Sequence, residues 1–220
     1  MAFKPLQTPL LFSVAGLVAT FAAIFLGVSA GLTTPFDRYL ILAFRHPGNT
    51  GELSGPGWLP EAVRNLTSLG SVPVLIVVVI IAAGYFLAAK RVVAARLSVI
   101  GFAGALMILN LLKWGIARPR PDFIVPVGEV FTTSFPSGHA TLSAATYLTL
   151  AALLSRTTSD RRLGVFFVAV GVALTAMIGV SRVYLGLHYP SDVLAGWCLG
   201  SAWALCCGAM MEQVRMQNVP

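Results

Sequence analysis

Charge is what this sequence has least of. Only 10% of its 220 residues are Asp, Glu, Lys or Arg, against 57% that are hydrophobic, and the mean hydropathy is +0.83. A soluble domain carries roughly 25% charged residues. Composition therefore excludes an ordinary soluble globular protein and points to a polytopic membrane protein. Basic residues outnumber acidic ones, 15 to 8, yet there is no basic tract and no RNA- or DNA-binding motif, so nucleic acid is not an expected partner. Cysteine is equally scarce. Cys198, Cys206 and Cys207 all lie in the last apolar run, without metal-ligand partners at a suitable spacing, and they read as packing residues. No internal repeat and no linker divides the chain, so residues 1–220 are expected to form a single domain.

What the chain does have is long apolar runs. A spanning helix needs about 20 mostly apolar residues, and six runs qualify, near 10–32, 72–89, 97–116, 137–154, 163–180 and 193–211. The fourth is apolar only from Ala140 but extends back through His139 to Ser137. The first follows Lys4, is too long for a signal-peptide core and ends in no clear small-residue cleavage site, so it is expected to be an anchor. Between the first two runs, Pro47–Gly51 and Gly55-Pro56-Gly57 are turn material. Phe36–Phe44 and Leu59–Leu69 alternate polar with apolar at helical spacing, and Trp58 suits a helix lying on the membrane. A lid-like loop with no lipid role fits those residues equally well. The expected fold is all-α, with six transmembrane helices and an interfacial helical loop on the outer face.

Six spans put both termini on one side. That side holds Lys4, Lys90, Arg91, Arg96, Arg156, Arg161, Arg162 and Arg215, with Asp160 and Glu212 as its acids. The other side mixes Arg38, Arg45, Arg64 and Arg118 with Asp37, Glu52, Glu61, Asp122 and Glu129. Positive loops face the cytoplasm. The termini are therefore expected to be cytoplasmic, and the second side to face outward, toward a periplasm where there is one.

The remaining charge gathers at the outer ends of the runs, where charge in a membrane chain usually marks function. Pro136-Ser137-Gly138-His139 opens a helix, with Ser137 at the N-cap, and free N–H groups there favour an anion. His188-Tyr189-Pro190-Ser191-Asp192 opens another through a proline. Asp192 can reach back to one imidazole nitrogen of His188, fixing the tautomer and leaving the other nitrogen a free lone pair. Arg182, six residues before His188, can offer a two-pronged grip on phosphate. Lys113 ends the third run, and on spacing alone Arg118 and Arg120 compete for an inward place beside it. The bland readings are snorkelling for Lys113, loop charge for Arg118, helix capping for Asp192 and a structural histidine for His139.

Taken in order, these segments resemble the three signature motifs of the type 2 phosphatidic acid phosphatase (PAP2) superfamily. Lys, six residues, then Arg-Pro corresponds to Lys113, Arg120 and Pro121, which selects Arg120 over Arg118. Pro-Ser-Gly-His corresponds to residues 136–139, and Ser-Arg, five residues, His, three residues, Asp to Ser181, Arg182, His188 and Asp192. The resemblance implies His188 as nucleophile, His139 as general acid and Asp192 as the group that holds the nucleophile. It implies Lys113, Arg120, Ser137, Gly138 and Arg182 as phosphate binders, with no metal and no cofactor.

The resemblance thus implies a hydrolase of the bacterial inner membrane, releasing phosphate from a lipid phosphate or pyrophosphate through a phosphohistidine. The substrates implied are undecaprenyl pyrophosphate, phosphatidylglycerol phosphate, phosphatidate and lipid A. A lipid phosphotransferase using the same phosphohistidine is the alternative within the site. A transporter with charges along its path is the alternative of another class, disfavoured because the charges cluster on one face and no inverted repeat is visible.

Overall fold

The structure, a computed structural model, describes residues 8–126 and 132–217, with side chains to residue 211. Glu129 and Lys4, which bear on the expected topology, lie outside the described residues, as do the side chains of Glu212 and Arg215.

Eight α-helices and one hairpin make up the described chain. They are α1 (Thr8–Ser29), α2 (Thr34–Leu42), β1 (Arg45–His46), β2 (Asn49–Leu53), α3 (Leu59–Thr67), α4 (Val72–Ala88), α5 (Val92–Gly115), α6 (Gly138–Ser155), α7 (Arg161–Tyr184) and α8 (Pro190–Gln217). A 3₁₀ turn, Ser68–Gly70, joins α3 to α4. The six apolar runs are all helical, and α2 and α3 fall on the two stretches with helical spacing in the outer loop. Prolines open α2, α3 and α4 in their first turns, where a missing N–H costs nothing. Asp160 caps α7, its side chain accepting from the Arg162 N–H at 2.8 Å.

The all-α expectation needs one correction. β1 and β2 pair antiparallel across Pro47-Gly48. Gly48 has φ +85°, which fits the third position of a turn with proline at the second. The turn signals at Pro47–Gly51 were legible, but the strands flanking them are too short and polar to announce themselves.

Six spans also become fewer by length and apolarity. Four helices, α1, α5, α7 and α8, are long and apolar enough to cross a membrane, or five if the pair formed by 59–70 and α4, bent by 54°, is one span. α6 is not among them. It is rich in Ser, Thr and Ala and buries twelve of its 18 residues against its neighbours, so it meets protein more than lipid. Small residues let those neighbours come close: a side chain at Gly196 or Gly200 of α8 would press into the α6 backbone. The chain is a multi-span membrane protein with α6 at its centre.

α5, α7 and α8 pack on α6, and α1 lies on α8. No residue of α1 is buried, yet Phe21 and Phe25 bring their rings 5.8 and 6.0 Å from that of Phe135. At one end of the bundle, Arg91 donates to the Arg156 and Thr157 carbonyls that close α6. The site lies at the other end.

Candidate active site

The chemistry-bearing residues meet where α5 and α7 end and α6 and α8 begin. Lys113 lies in the last turn of α5 and Arg182 in the last turn of α7. Ser137 and Gly138 open α6, and Asp192 lies in the first turn of α8. α7 stops at Gly186, whose φ of +72° suits glycine. The Gly186 N–H donates to Val183 O and the Leu187 N–H to Arg182 O, each at 3.0 Å, the paired bonds of a Schellman stop. Two residues later comes His188, and Pro190 starts α8. A tight stop and an immediate restart thus aim His188 into the site. On the other side, a cis Phe135–Pro136 bond leads into Ser137, whose N–H donates to the Asp192 carbonyl at 3.0 Å.

His188 is 2% exposed and Asp192 fully buried. His188 Nδ1 lies 3.5 Å from Asp192 Oδ2, so the carboxylate favours the Nδ1–H tautomer and leaves the Nε2 lone pair free. Nε2 faces the Arg120 guanidinium, with Nη1 at 3.2 Å. Burial pushes the His188 imidazole down to about 4, against the pull of Asp192 and with the help of the Arg120 and Arg182 charges. The ring is therefore neutral at neutral pH, with its Nε2 lone pair available. Burial also lowers Arg120.

Asp192 is held at both oxygens. Oδ1 accepts from Arg118 Nη1 at 2.5 Å, and Oδ2 accepts from Ser134 Oγ at 2.5 Å and from the Tyr189 N–H at 3.0 Å. The last bond makes Asp192 both the cap of α8 and the partner of His188. Arg118 stacks over the Tyr189 ring, 4.0 Å from its centroid, and its Nη2 pairs with Asp37 Oδ2 at 2.8 Å. Asp37, on α2, is fully buried and also accepts from the Ser191 N–H (2.8 Å) and Ser191 Oγ (2.6 Å).

The cations converge. Burial first, then the charges of Arg182, Arg120 and Lys113, push the His139 imidazole down to about 3, and Arg182 is 5% exposed with its Nε unpartnered. Lys113 Nζ donates to Thr133 O at 2.6 Å, and Arg120 Nε to Thr132 O at 2.9 Å. Arg120 Nη1 also donates to Leu187 O. The Ser137 hydroxyl is buried and unpartnered. Ser137 sits at the N-cap of α6, as its sequence position predicts, but its side chain makes no capping bond. Thr67 and Gly70 close the other wall. Thr67 Oγ1 meets Arg182 Nη1 at 3.4 Å, and a side chain at Gly70 would press on Ile178 and the His139 ring.

Lys113, Arg120, Ser137, Gly138, His139, Arg182, His188 and Asp192 thus lie together at one end of the bundle. Arg118 is not the exposed loop charge of its bland reading, since its side chain is 12% exposed and doubly ion-paired. Reasoning from sequence missed Asp37, Ser134 and Thr67. Only Asp37 left a signal, an acid on one of the two outer-loop stretches with helical spacing. Among the described residues no group of three or more His, Cys, Asp or Glu is placed to hold a metal ion.

A site with two histidines, a carboxylate and three converging cations has known counterparts. The family model described as "PAP2 superfamily" matches residues 74–216. The chain is 36% identical over 147 residues to phosphatidylglycerophosphatase B of Bacillus subtilis, covering 65% of this chain and 70% of that one. It is 34% identical over 108 residues to lipid A 1-phosphatase of Rhizobium etli, covering 45% of this chain and 42% of that one. The crystal structure of a transmembrane PAP2-type phosphatidylglycerolphosphate phosphatase from Bacillus subtilis superposes with a TM-score of 0.84 at 25% identity, over 92% of this chain and 98% of that one. By motif, site geometry and overall fold, the chain belongs to the PAP2 superfamily of phosphatases.

Proposed function

We propose that the protein removes a terminal phosphate from a membrane lipid through a phosphohistidine on His188. The observation that carries this reading is the pairing of His188 Nδ1 with buried Asp192 at 3.5 Å while Nε2 faces Arg120. Nε2 attacks phosphorus in line, the bond to the leaving oxygen breaks, and His139, which takes up a proton once the substrate's phosphate charge offsets the cations that hold it neutral, gives that proton to the leaving oxygen. Water, deprotonated by the same His139, then attacks the phosphohistidine, releasing phosphate and restoring neutral His188. Arg120, Arg182 and Lys113, with the Ser137 hydroxyl and the N–H groups opening α6, stabilise the charge that grows on the equatorial oxygens. Asp192 keeps the tautomer and offsets the imidazolium charge.

Lipid is the favoured substrate because the site sits at the ends of bilayer-length helices, where a headgroup meets it while the tail stays in the membrane. Likeness to phosphatidylglycerophosphatase B over most of both chains makes phosphatidylglycerol phosphate the first substrate to try. An undecaprenyl-diphosphatase from Sulfolobus acidocaldarius, 35% identical over 108 residues, makes isoprenyl diphosphate the second. The basic loops at the opposite end, with Arg91, Arg156, Arg161 and Arg162, support cytoplasmic termini and a site facing outward.

The test is phosphate release by purified protein from phosphatidylglycerol phosphate, undecaprenyl pyrophosphate, phosphatidate and lipid A, compared by kcat/KM. The expected result is turnover in excess EDTA, inhibition by vanadate, and loss of turnover in His188→Ala. Parent-level release by that variant would overturn the nucleophile.

A further inference from the structure

We propose that Asp37 of the outer helix α2 is a positioning residue for the reaction, acting through Arg118 to set the charge that Asp192 presents to His188. This rests on the phosphohistidine reading of the site.

Three buried or half-buried charges lie in line. Asp37 Oδ2 takes Arg118 Nη2 at 2.8 Å, and Asp192 Oδ1 takes Arg118 Nη1 at 2.5 Å. Arg118 alone beside Asp192 would cancel the carboxylate and leave nothing to stabilise a cationic His188. Asp37 changes that balance, because two carboxylates outnumber one guanidinium and the cluster stays net negative while His188 is neutral. When phosphorylation makes the ring cationic, the cluster and the ring together reach neutrality. Burial makes such charge matching count, since the low dielectric weakens screening. The same carboxylate takes the Ser191 N–H and Oγ at 2.8 and 2.6 Å, pinning α2 to the first turn of α8 one residue ahead of Asp192. Tyr189, under the guanidinium at 4.0 Å, fixes its plane. Arg118 is thus held on three sides, with its two forks committed to two different carboxylates. A purely structural ion pair would need only one of them.

The remaining groups facing His188 are Arg120 and Arg182, both of which disfavour a cationic ring, and His139, whose protonated form does the same. Against them, net negative charge behind Asp192 is what keeps the phosphorylated ring accessible.

Two variants with opposite charge effects test the idea. Asp37→Asn keeps the shape but makes the cluster neutral before reaction; kcat and the rate of phosphoenzyme formation should fall on the order of 10- to 100-fold. Inhibition by inorganic phosphate should stay within about threefold of the parent, because the phosphate-binding cations are untouched. Arg118→Gln leaves two carboxylates uncompensated and should move the acid limb of kcat/KM upward. The proposal is overturned if Asp37→Asn turns over within about twofold of the parent, if its phosphate affinity falls in step with kcat, or if the Arg118→Gln limb does not move. His188→Ala, run alongside, separates the two claims. Turnover in that variant sinks the phosphohistidine, whereas a dead His188→Ala beside an unimpaired Asp37→Asn sinks only the role of Asp37.

Discussion

Tyr147, midway along α6, donates its phenolic hydroxyl to the carbonyl of Leu69 at 2.8 Å. That bond ties the central helix to the 3₁₀ turn whose last residue, Gly70, abuts the His139 ring. Tyr147→Phe leaves the Leu69 carbonyl without this partner, at a cost of roughly 1–3 kcal/mol where the group is buried. The expected outcome is a lower thermal unfolding midpoint in detergent with phosphate inhibition unchanged. An unshifted midpoint would show that water replaces the phenol.

Gly70 itself bears on His139, the proposed proton donor. A methyl group there would press on Ile178 and on the His139 ring. Gly70→Ala should lower kcat on an alkyl phosphate by about tenfold, roughly 1.4 kcal/mol of barrier. The loss should shrink with a nitrophenyl phosphate, whose good leaving group needs little protonation. Equal losses on both substrates would mean that the methyl disturbs phosphate binding and not the acid.

Ser134 holds Asp192 Oδ2 at 2.5 Å and sits 3.5 Å from His188 Nδ1. Ser134→Ala removes one of three donors to that carboxylate while Arg118 and the Tyr189 N–H remain. A kcat loss of about 3- to 10-fold with little change in KM is expected, in line with roughly 1 kcal/mol for one hydrogen bond. A rise in KM alone would place Ser134 in substrate binding.

The His188 ring, pushed down to about 4 by burial, stays neutral in the fold through a range where a free histidine, near 6.5, takes up a proton. Between those values the unfolded chain binds a proton that the native chain refuses. Stability should therefore fall as pH drops from about 6.5 toward 4. An NMR titration of ring-labelled protein should find His188 neutral at pH 5.5, and Arg120→Gln should raise its midpoint by removing a nearby cation. A parent midpoint near 6.5 would contradict the burial.

Apolar runs and helix-entry prolines made the helices legible, because both act within a few residues along the chain. Lys113, Arg120, His139, Arg182, His188 and Asp192 were legible for a second reason: charge at the end of an apolar run is costly without a use. The Arg118–Asp37 pair was not. It joins residues 81 positions apart, and no spacing rule links a loop arginine to an outer helix. Family resemblance hid it further by choosing Arg120 over Arg118, which is right for the residue facing His188 Nε2 and silent on the other. Ser134 gave no sign because a lone serine in a loop is ordinary. Six runs read as spans in the sequence, whereas length and apolarity alone mark four helices, or five with the bent pair, and α6 is the run most enclosed by protein.

Phe135 is fully buried and stands two residues before Ser137, and part of what covers it is the pair Phe21 and Phe25 of α1. The first helix lies outside the stretch that the family model matches, yet it lines the turn that leads into Ser137 and Gly138. A chimaera that kept residues 74–216 and exchanged the first helix for a foreign membrane anchor would insert and still be faulty. Its phenyl ring would face lipid in place of two aromatic neighbours, and the slack would appear first in the Pro-Ser-Gly-His turn. Engineering this enzyme by domain exchange therefore has to carry the anchor and the turn together.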